Sequence, residues 1–216
     1  YLGSTLSAGG DLSVRASAGD LKIAGSQLAA GGSASLAATG NLTVEATLGS
    51  ADYQFAGRAR KHAADTVSHD ETLSGSAIVA GKSLALLAGN DLVIQASRVS
   101  AGGDAILAAR RDLSVVAANE SHQSDKRLNT GPNSLLAVKS ASTASGSVVA
   151  AGGDLKVSSG GDLTLQGSAL AADGRLAVQV GGDLNLLAAV STRQENIQST
   201  QVGRKKMETL DYELDQ

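Results

Sequence analysis

Apolar and polar residues alternate along most of the chain, in short runs that end at glycine-rich turns. In residues 12–16, for example, Leu12, Val14 and Ala16 alternate with polar residues. This period of two is typical of a strand that buries one face. Many runs are followed by Gly-Gly-Asp or Gly-Asn. Glycine permits a positive φ and Asp or Asn favours a turn, so the pattern predicts short strands joined by tight turns.

The strands and turns recur in a larger unit, because Gly3 aligns with Gly25 and Leu6 with Leu28 at a shift of 22 residues. Six such units occupy residues 3–24, 25–46, 75–96, 96–118, 146–166 and 167–189. Each unit holds three short strands and is too small to bury its apolar face without stacking on its neighbours. The sequence therefore predicts an all-β fold, a right-handed parallel β-helix (solenoid) of about six three-strand coils. The hand follows from the preference of parallel crossovers.

A stretch without this pattern follows every second unit, at residues 47–74, 119–145 and 190–216. These stretches hold more than half of the charged residues in less than two fifths of the chain, with all three histidines and the single proline. We expect charged excursions after every second coil, built as hairpins or loops. The chain is then a single β-helix repeat domain, 1–216, with three super-repeats of about 71 residues, namely 1–74, 75–145 and 146–216.

Short clusters of basic residues on the excursions are candidate contacts with a target surface. They are Arg58, Arg60, Lys61, Lys126, Arg127, Arg204, Lys205 and Lys206. Acidic residues are interleaved with them, and a charged run is more often a solvated surface than a binding site. Two interpretations stay open: a solvated surface, or contact with lipopolysaccharide, acidic glycans or lipid phosphates.

The composition excludes several classes of function. Cysteine is absent, which excludes disulfides, thiolate metal sites and cysteine nucleophiles. Lys and Arg number 18 against 21 Asp and Glu, a formal charge of −3 that does not favour a nucleic-acid partner. Only four residues are aromatic, so the predicted core is built from Ala, Leu, Val and Ile.

The sequence contains only weak evidence for metal-binding or catalytic residues. Asp residues such as Asp11 and Asp162 recur at the predicted turns, but the Gly-Gly-x-Gly-x-Asp motif of a calcium-binding roll is absent, which favours turn stabilisation. His62 and His69 lack the spacing of a zinc pair. Polysaccharide-degrading β-helices need paired carboxylates or Ca²⁺ in an aromatic-lined groove. We expect no catalytic residue, cofactor or metal, with such an enzyme as a remote alternative.

The paired coils follow the form GSxLxAGGDLxVxAxGDLxI, and the excursions include NESHQSDKRLNTGPNS and STRQENIQSTQVGRKK. These segments resemble the hemagglutinin repeats of filamentous hemagglutinins and of the effectors of contact-dependent growth inhibition. The resemblance covers nearly the whole chain. It implies a fragment of a much longer exoprotein, exported by two-partner secretion through an outer-membrane transporter and displayed as a β-helical filament at the bacterial cell surface.

The resemblance also implies a structural, non-enzymatic function in cell contact and in toxin delivery. The implied partners are neighbouring repeats of the same chain, the transporter during export, and the surface or outer membrane of a target cell, without nucleic acid. An alternative is an active translocation segment whose excursions engage the target outer membrane. The adhesin and toxin-delivery branches of the family both stay open.

Overall fold

The computed structural model describes residues 2–60 and 62–200, together with the backbone of residues 208–215. All regular secondary structure in these residues is β-strand. The chain divides into two compact units. The first, the coil stack, comprises Tyr1–Thr47, Leu73–Ala118 and Ser145–Ala189. The second, the hairpin sheet, comprises Leu48–Thr72, Asn119–Ala144 and Val190–Gln216.

Pairs of three-strand coils alternate along the chain with pairs of longer strands. Coils 1 and 2 contain β1 (Thr5–Ala8), β2 (Leu12–Ala16), β3 (Leu21–Ala24), β4 (Gln27–Ala30), β5 (Ala34–Ala38) and β6 (Leu42–Glu45), followed by the long strands β7 (Thr47–Ala59) and β8 (His62–Ser74). Coils 3 and 4 contain β9 (Ala77–Ala80), β10 (Leu84–Ala88), β11 (Leu92–Gln95), β12 (Arg98–Ala101), β13 (Ala105–Ala109) and β14 (Leu113–Val116), followed by β15 (Ala118–Thr130) and β16 (Asn133–Ser145). Coils 5 and 6 contain β17 (Val148–Ala151), β18 (Leu155–Ser159), β19 (Leu163–Gln166), β20 (Ala169–Ala172), β21 (Leu176–Val180) and β22 (Leu184–Leu187), followed by β23 (Thr192–Thr200) and β24 (Glu208–Asp215).

Equivalent strands of successive coils pair in parallel and in one constant register. They form three six-stranded sheets, with the orders β1-β4-β9-β12-β17-β20, β2-β5-β10-β13-β18-β21 and β3-β6-β11-β14-β19-β22. In the third sheet, for example, Leu42 lies beside Leu92, which lies beside Leu113. The prediction of a parallel β-helix of three-strand coils is confirmed.

The core of the coil stack consists of rows that run from coil to coil. In the second sheet Leu84 lies between Ala34 and Ala105, and Leu155 follows Ala105. All four are at most 3% exposed. Large and small side chains thus alternate along the row, which fills a narrow interior at the packing density of a protein core. This packing explains a core rich in alanine that contains no aromatic ring among the described residues.

Burial declines in the outermost coils. Leu163 in coil 5 is 1% exposed, whereas Leu184, which lies beside it in coil 6, is 53% exposed. Leu6 in coil 1 is 47% exposed. Within the described residues no further coil covers the outer sides of these two coils, so their inward positions stay open.

A column of serines, one from each coil, runs through the connections between coils. The backbone N–H of Ser76 donates to Oγ of Ser97 at 3.1 Å, and the N–H of Ser97 donates to Oγ of Ser147 at 3.2 Å. These three side chains are at most 5% exposed. The complete column, here called the serine ladder, is Ser4, Ser26, Ser76, Ser97, Ser147 and Ser168. This function of the recurrent Gly-Ser pair was not predicted from the sequence.

One residue in the left-handed region precedes the serine wherever two coils follow each other directly. Gly25 has a φ of 53°, Ala96 of 42° and Gly167 of 53°. Glycine adopts this conformation readily, whereas it costs another residue about 1–2 kcal/mol. The connection between two directly stacked coils is therefore two residues long, a left-handed residue followed by the serine, and glycine fits the first position best.

The turn carboxylates also connect coils. Oδ1 of Asp112 accepts the backbone N–H of Asp162 at 2.9 Å, and Oδ1 of Asp162 accepts that of Asp183 at 2.8 Å. Asn41 occupies the same column and accepts the N–H of Asp91 at 3.2 Å. These side chains satisfy backbone donors of the next coil, which is the turn-stabilising function that the sequence favoured.

The excursions form long antiparallel hairpins that join edge to edge in a fourth six-stranded sheet, β24-β23-β16-β15-β8-β7. Where β8 pairs with β15, Asp70 lies opposite His122, and where β16 pairs with β23, Ala141 lies opposite Arg193. The two pairs are offset by 71 residues on both strands, so successive hairpins join in the same register. The sequence predicted hairpins or loops but not their union into one sheet.

Both faces of the hairpin sheet are open. None of residues 48–60, 62–72, 119–144 and 190–200 is buried. Residues 131 and 132 connect β15 to β16, and Gly131 has a φ of 66°. Without an apolar core of its own, such a sheet depends on backbone hydrogen bonds and on cross-strand side-chain pairs.

Candidate contact surface

Half of the predicted basic contact residues lie in the described part of the hairpin sheet. They are Arg58 in β7, Arg60 directly after this strand, and Lys126 and Arg127 in β15. The other four, Lys61, Arg204, Lys205 and Lys206, lie outside the described residues.

The cations of β15 do not share one patch. Lys126 lies opposite Thr66 and Arg127 opposite Asp65. Successive residues of a strand face opposite sides of the sheet, so the two cations are on different faces. Asp65 also offsets the charge of Arg127. The contact function of the basic residues therefore stays a prediction. Lys126 and Arg127 do not form a single cationic surface that would support it.

His69 links the two strands of the first hairpin. Its Nδ1 lies 2.6 Å from Oδ1 of Asp52 in β7, and its Nε2 lies 3.8 Å from Oε1 of Glu71. The hydrogen bond to Asp52 raises the pKa of His69 above its ordinary 6.5, because the carboxylate favours the protonated ring. The hydroxyl and backbone N–H of Ser121 both donate to Glu71, and these bonds lower the pKa of Glu71 below 4.5.

His122 links the first hairpin to the second. Its Nδ1 lies 3.2 Å from Oδ1 of Asp70 in β8, and its Nε2 lies 3.8 Å from Oε1 of Glu120. Since Gln123 lies opposite His69, the neighbouring His122 faces the other side of the sheet. Each histidine is thus placed between two carboxylates, on different faces.

A groove of about 480 Å³ opens on the face of His122, lined by residues of β8, β15, β16 and β23 and by Ser191. Ala141 forms the floor of this groove, because it lies between Arg193 on β23 and His122 on β15. The pairing with Arg193 is direct, and the two-residue connection at 131–132 places Ala141 opposite His122. Lys139 and Thr143 are two residues away along β16 and face the same side.

Two ion pairs border this groove. Nζ of Lys139 lies 2.7 Å from Oε1 of Glu195, and Nη2 of Arg193 lies 3.9 Å from Oε2 of the same residue. Lys139, Arg193 and Ala141 were not among the predicted contact residues. The sequence does contain a signal for these residues. When the hairpin sequences are aligned at an offset of 71 residues, Ala141 aligns with Asp70 and Arg193 aligns with His122.

No set of three or more His, Asp or Glu side chains in the described residues is arranged to hold a metal ion. In the same residues there is no helix long and apolar enough to cross a membrane.

Stacked coils with parallel, in-register sheets define a β-solenoid, a repeat protein whose units stabilise one another by stacking. The chain belongs to the hemagglutinin-repeat family, whose model matches residues 1–54, 55–134 and 128–204. This family is a structural, adhesin-type repeat and not an enzyme family, and its repeats occur in secreted, surface-associated proteins like filamentous hemagglutinin. No curated protein and no solved structure matches the chain.

Proposed function

We propose that this chain is a segment of a β-helical filament through which a bacterial surface protein contacts another cell. The constant coil register carries this proposal. Leu36 lies beside Leu86 although a hairpin separates them in sequence, and Leu86 lies beside Leu107 without one. Each coil therefore presents the next with the same interface whether or not a hairpin intervenes, which is what an extended filament needs.

Two-partner secretion through an outer-membrane transporter is the export route we propose. The chain contains no cysteine, so the fold needs no disulfide chemistry. Its units are short and interact with their nearest neighbours, so coils form one after another as the chain emerges. Both properties suit a protein that folds outside the cell.

Immunogold labelling tests the filament function on bacteria that express the complete protein. Antibodies against the coil stack should label thin structures that extend from the cell surface. Label confined to the interior of the cell would overturn the proposal.

A second function, engagement of a target cell's outer membrane during toxin delivery, is favoured by the apolar side chains of the hairpin sheet. Tyr53 is 58% exposed and Phe55 is 48% exposed, and because they are two residues apart on β7 their side chains face the same side of the sheet. Exposed apolar groups mark interaction sites more often than passive surfaces when they cluster. A filament that only spans distance gains nothing from two aromatic residues on an exposed strand.

Flotation with bacterial outer-membrane vesicles, followed by protease treatment, tests this second function. The chain should float with the vesicles and yield protected fragments from the hairpins, and a Tyr53→Ser/Phe55→Ser variant should float less. Ile106→Ser is the matched control, since Ile106 is 43% exposed in the coil stack. A chain that stays in the soluble fraction and is cut in its hairpins would contradict membrane engagement and leave the filament function intact.

A further inference from the structure

The two junctions between hairpins have the same register but different chemistry. At the first junction Asp70 lies opposite His122, and at the second Ala141 lies opposite Arg193. The acidic residue of the first junction is thus an alanine in the second. Arg193 faces a methyl group where His122 faces a carboxylate.

This difference produces a small cup with polar walls, here called the Ala141 cup: Ala141 as the floor and His122, Lys139, Thr143 and Arg193 around it. Neighbouring strands are about 4.8 Å apart, so His122 and Arg193 are separated by roughly 10 Å across β16. Residues two apart along a strand are about 7 Å apart, which places Lys139 and Thr143 on the other two sides. These dimensions fit one six-membered sugar ring.

The cationic groups of the cup are accessible. The side chain of Arg193 is 66% exposed and that of Lys139 is 52% exposed. Glu195 neutralises Lys139 at 2.7 Å but lies 3.9 Å from Arg193, beyond hydrogen-bond distance. The guanidinium therefore presents donors of the geometry that binds a carboxylate or phosphate at two points.

Hydrogen-bonding groups of both kinds surround these cations. Ser124, Thr143 and Ser191 line the groove, as does Asp70. Such a mixture matches the hydroxyls of a sugar, which donate and accept at once. The methyl group of Ala141 offers the apolar contact that the C–H face of a ring requires.

We propose that the Ala141 cup binds an acidic sugar unit, with its carboxylate or phosphate at Arg193 and its ring over Ala141. This inference goes beyond the filament function and does not depend on it. The cup has no aromatic platform, so one sugar binds with a Kd in the range of about 1 mM, near −4 kcal/mol.

Calorimetric titration of the complete chain with D-glucuronate and glucose 1-phosphate tests the proposal. Glucose and inorganic phosphate serve as controls that lack the acidic group or the ring. Both acidic sugars should bind more tightly than either control, and added salt should weaken them. Equal binding of inorganic phosphate, or no binding of either acidic sugar, would overturn the proposal.

Ala141→Asp is the decisive variant, because it fills the cup and neutralises Arg193 with the residue that the first junction already accommodates. Binding should fall at least tenfold, as it should in Arg193→Gln. Ala137→Asp is the matched control on the same strand and face, opposite Ile197, and should bind like the parent. Equal losses in Ala141→Asp and Ala137→Asp would overturn the assignment, provided that both retain the parent's melting curve.

An acidic sugar occurs in soluble polysaccharides and in glycolipid head groups. Oligogalacturonate in solution and vesicles that carry an acidic glycolipid distinguish these sources. Binding of the soluble oligomer, alone or with the vesicles, supports the cup. Binding to vesicles alone would contradict it, because a cup for one ring needs no bilayer.

Discussion

Replacing Ser147 with alanine removes one step of the serine ladder. Oγ of Ser147 donates to the carbonyl of Val116 at 2.8 Å and accepts the N–H of Ser97 at 3.2 Å. The carbonyl of Val116 keeps a second donor, the N–H of Ala96 at 3.0 Å. The buried N–H of Ser97 loses its acceptor, and an unsatisfied buried group costs about 1–3 kcal/mol.

Thermal unfolding followed by circular dichroism measures this cost. In a chain of this size each kcal/mol lowers Tm by about 2–4 °C, so we expect a decrease of about 2–12 °C. Ser4→Ala is the matched control, because Ser4 is exposed at the end of the same ladder and its backbone N–H still donates to Ser26. If Ser147→Ala melted at the same temperature as Ser4→Ala, the ladder would not stabilise the stack as reasoned here.

Three further predictions follow from the packing and the charges. Deleting residues 46–74 together with 117–145 should preserve the coil stack. Each new junction then has a single glycine before the serine, as between coils 1 and 2. Loss of the β signal in circular dichroism would contradict this prediction. Leu155→Asp should destabilise the stack by several kcal/mol in urea, since Leu155 is 1% exposed, whereas Leu184→Asp should cost much less; equal losses would refute the inward assignment. The pKa of His69 is raised, so its ion pair stabilises the first hairpin fully below pH 6.5, and this contribution is lost as the pH rises through the raised pKa. An NMR titration of His69 with a midpoint at or below 6.5 would contradict it.

The coils were predictable because each strand buries one face, which leaves a period of two in the sequence. Leu42, Leu92 and Leu113 are buried positions of this alternation, and the glycine-rich turns mark where each strand ends. The serine ladder was not predictable in the same way. Glycine and serine are both frequent in turns, and only the stacking of coils brings Ser76 and Ser97 within hydrogen-bond distance.

The hairpin sheet was harder to predict because both of its faces are exposed. The four strands of its first two hairpins are 13 residues long and carry no alternation of buried and polar positions. Charge density indicated where the excursions lie and located Lys126 and Arg127. It did not locate the Ala141 cup, since Lys139 and Arg193 are isolated in sequence and become neighbours only when two hairpins pair.

Amide hydrogen exchange measured by mass spectrometry, with and without outer-membrane vesicles, tests the central claim most directly. That claim assigns the filament scaffold to the coil stack and target contact to the hairpin sheet. Peptides from residues 77–116 should exchange slowly under both conditions, because their strands are hydrogen-bonded to neighbouring coils and surround an apolar core. Peptides from residues 48–72 and 119–144 should exchange faster and become protected when vesicles are added. Protection that appears only in the coil peptides, or hairpin exchange that vesicles leave unchanged, would contradict the account.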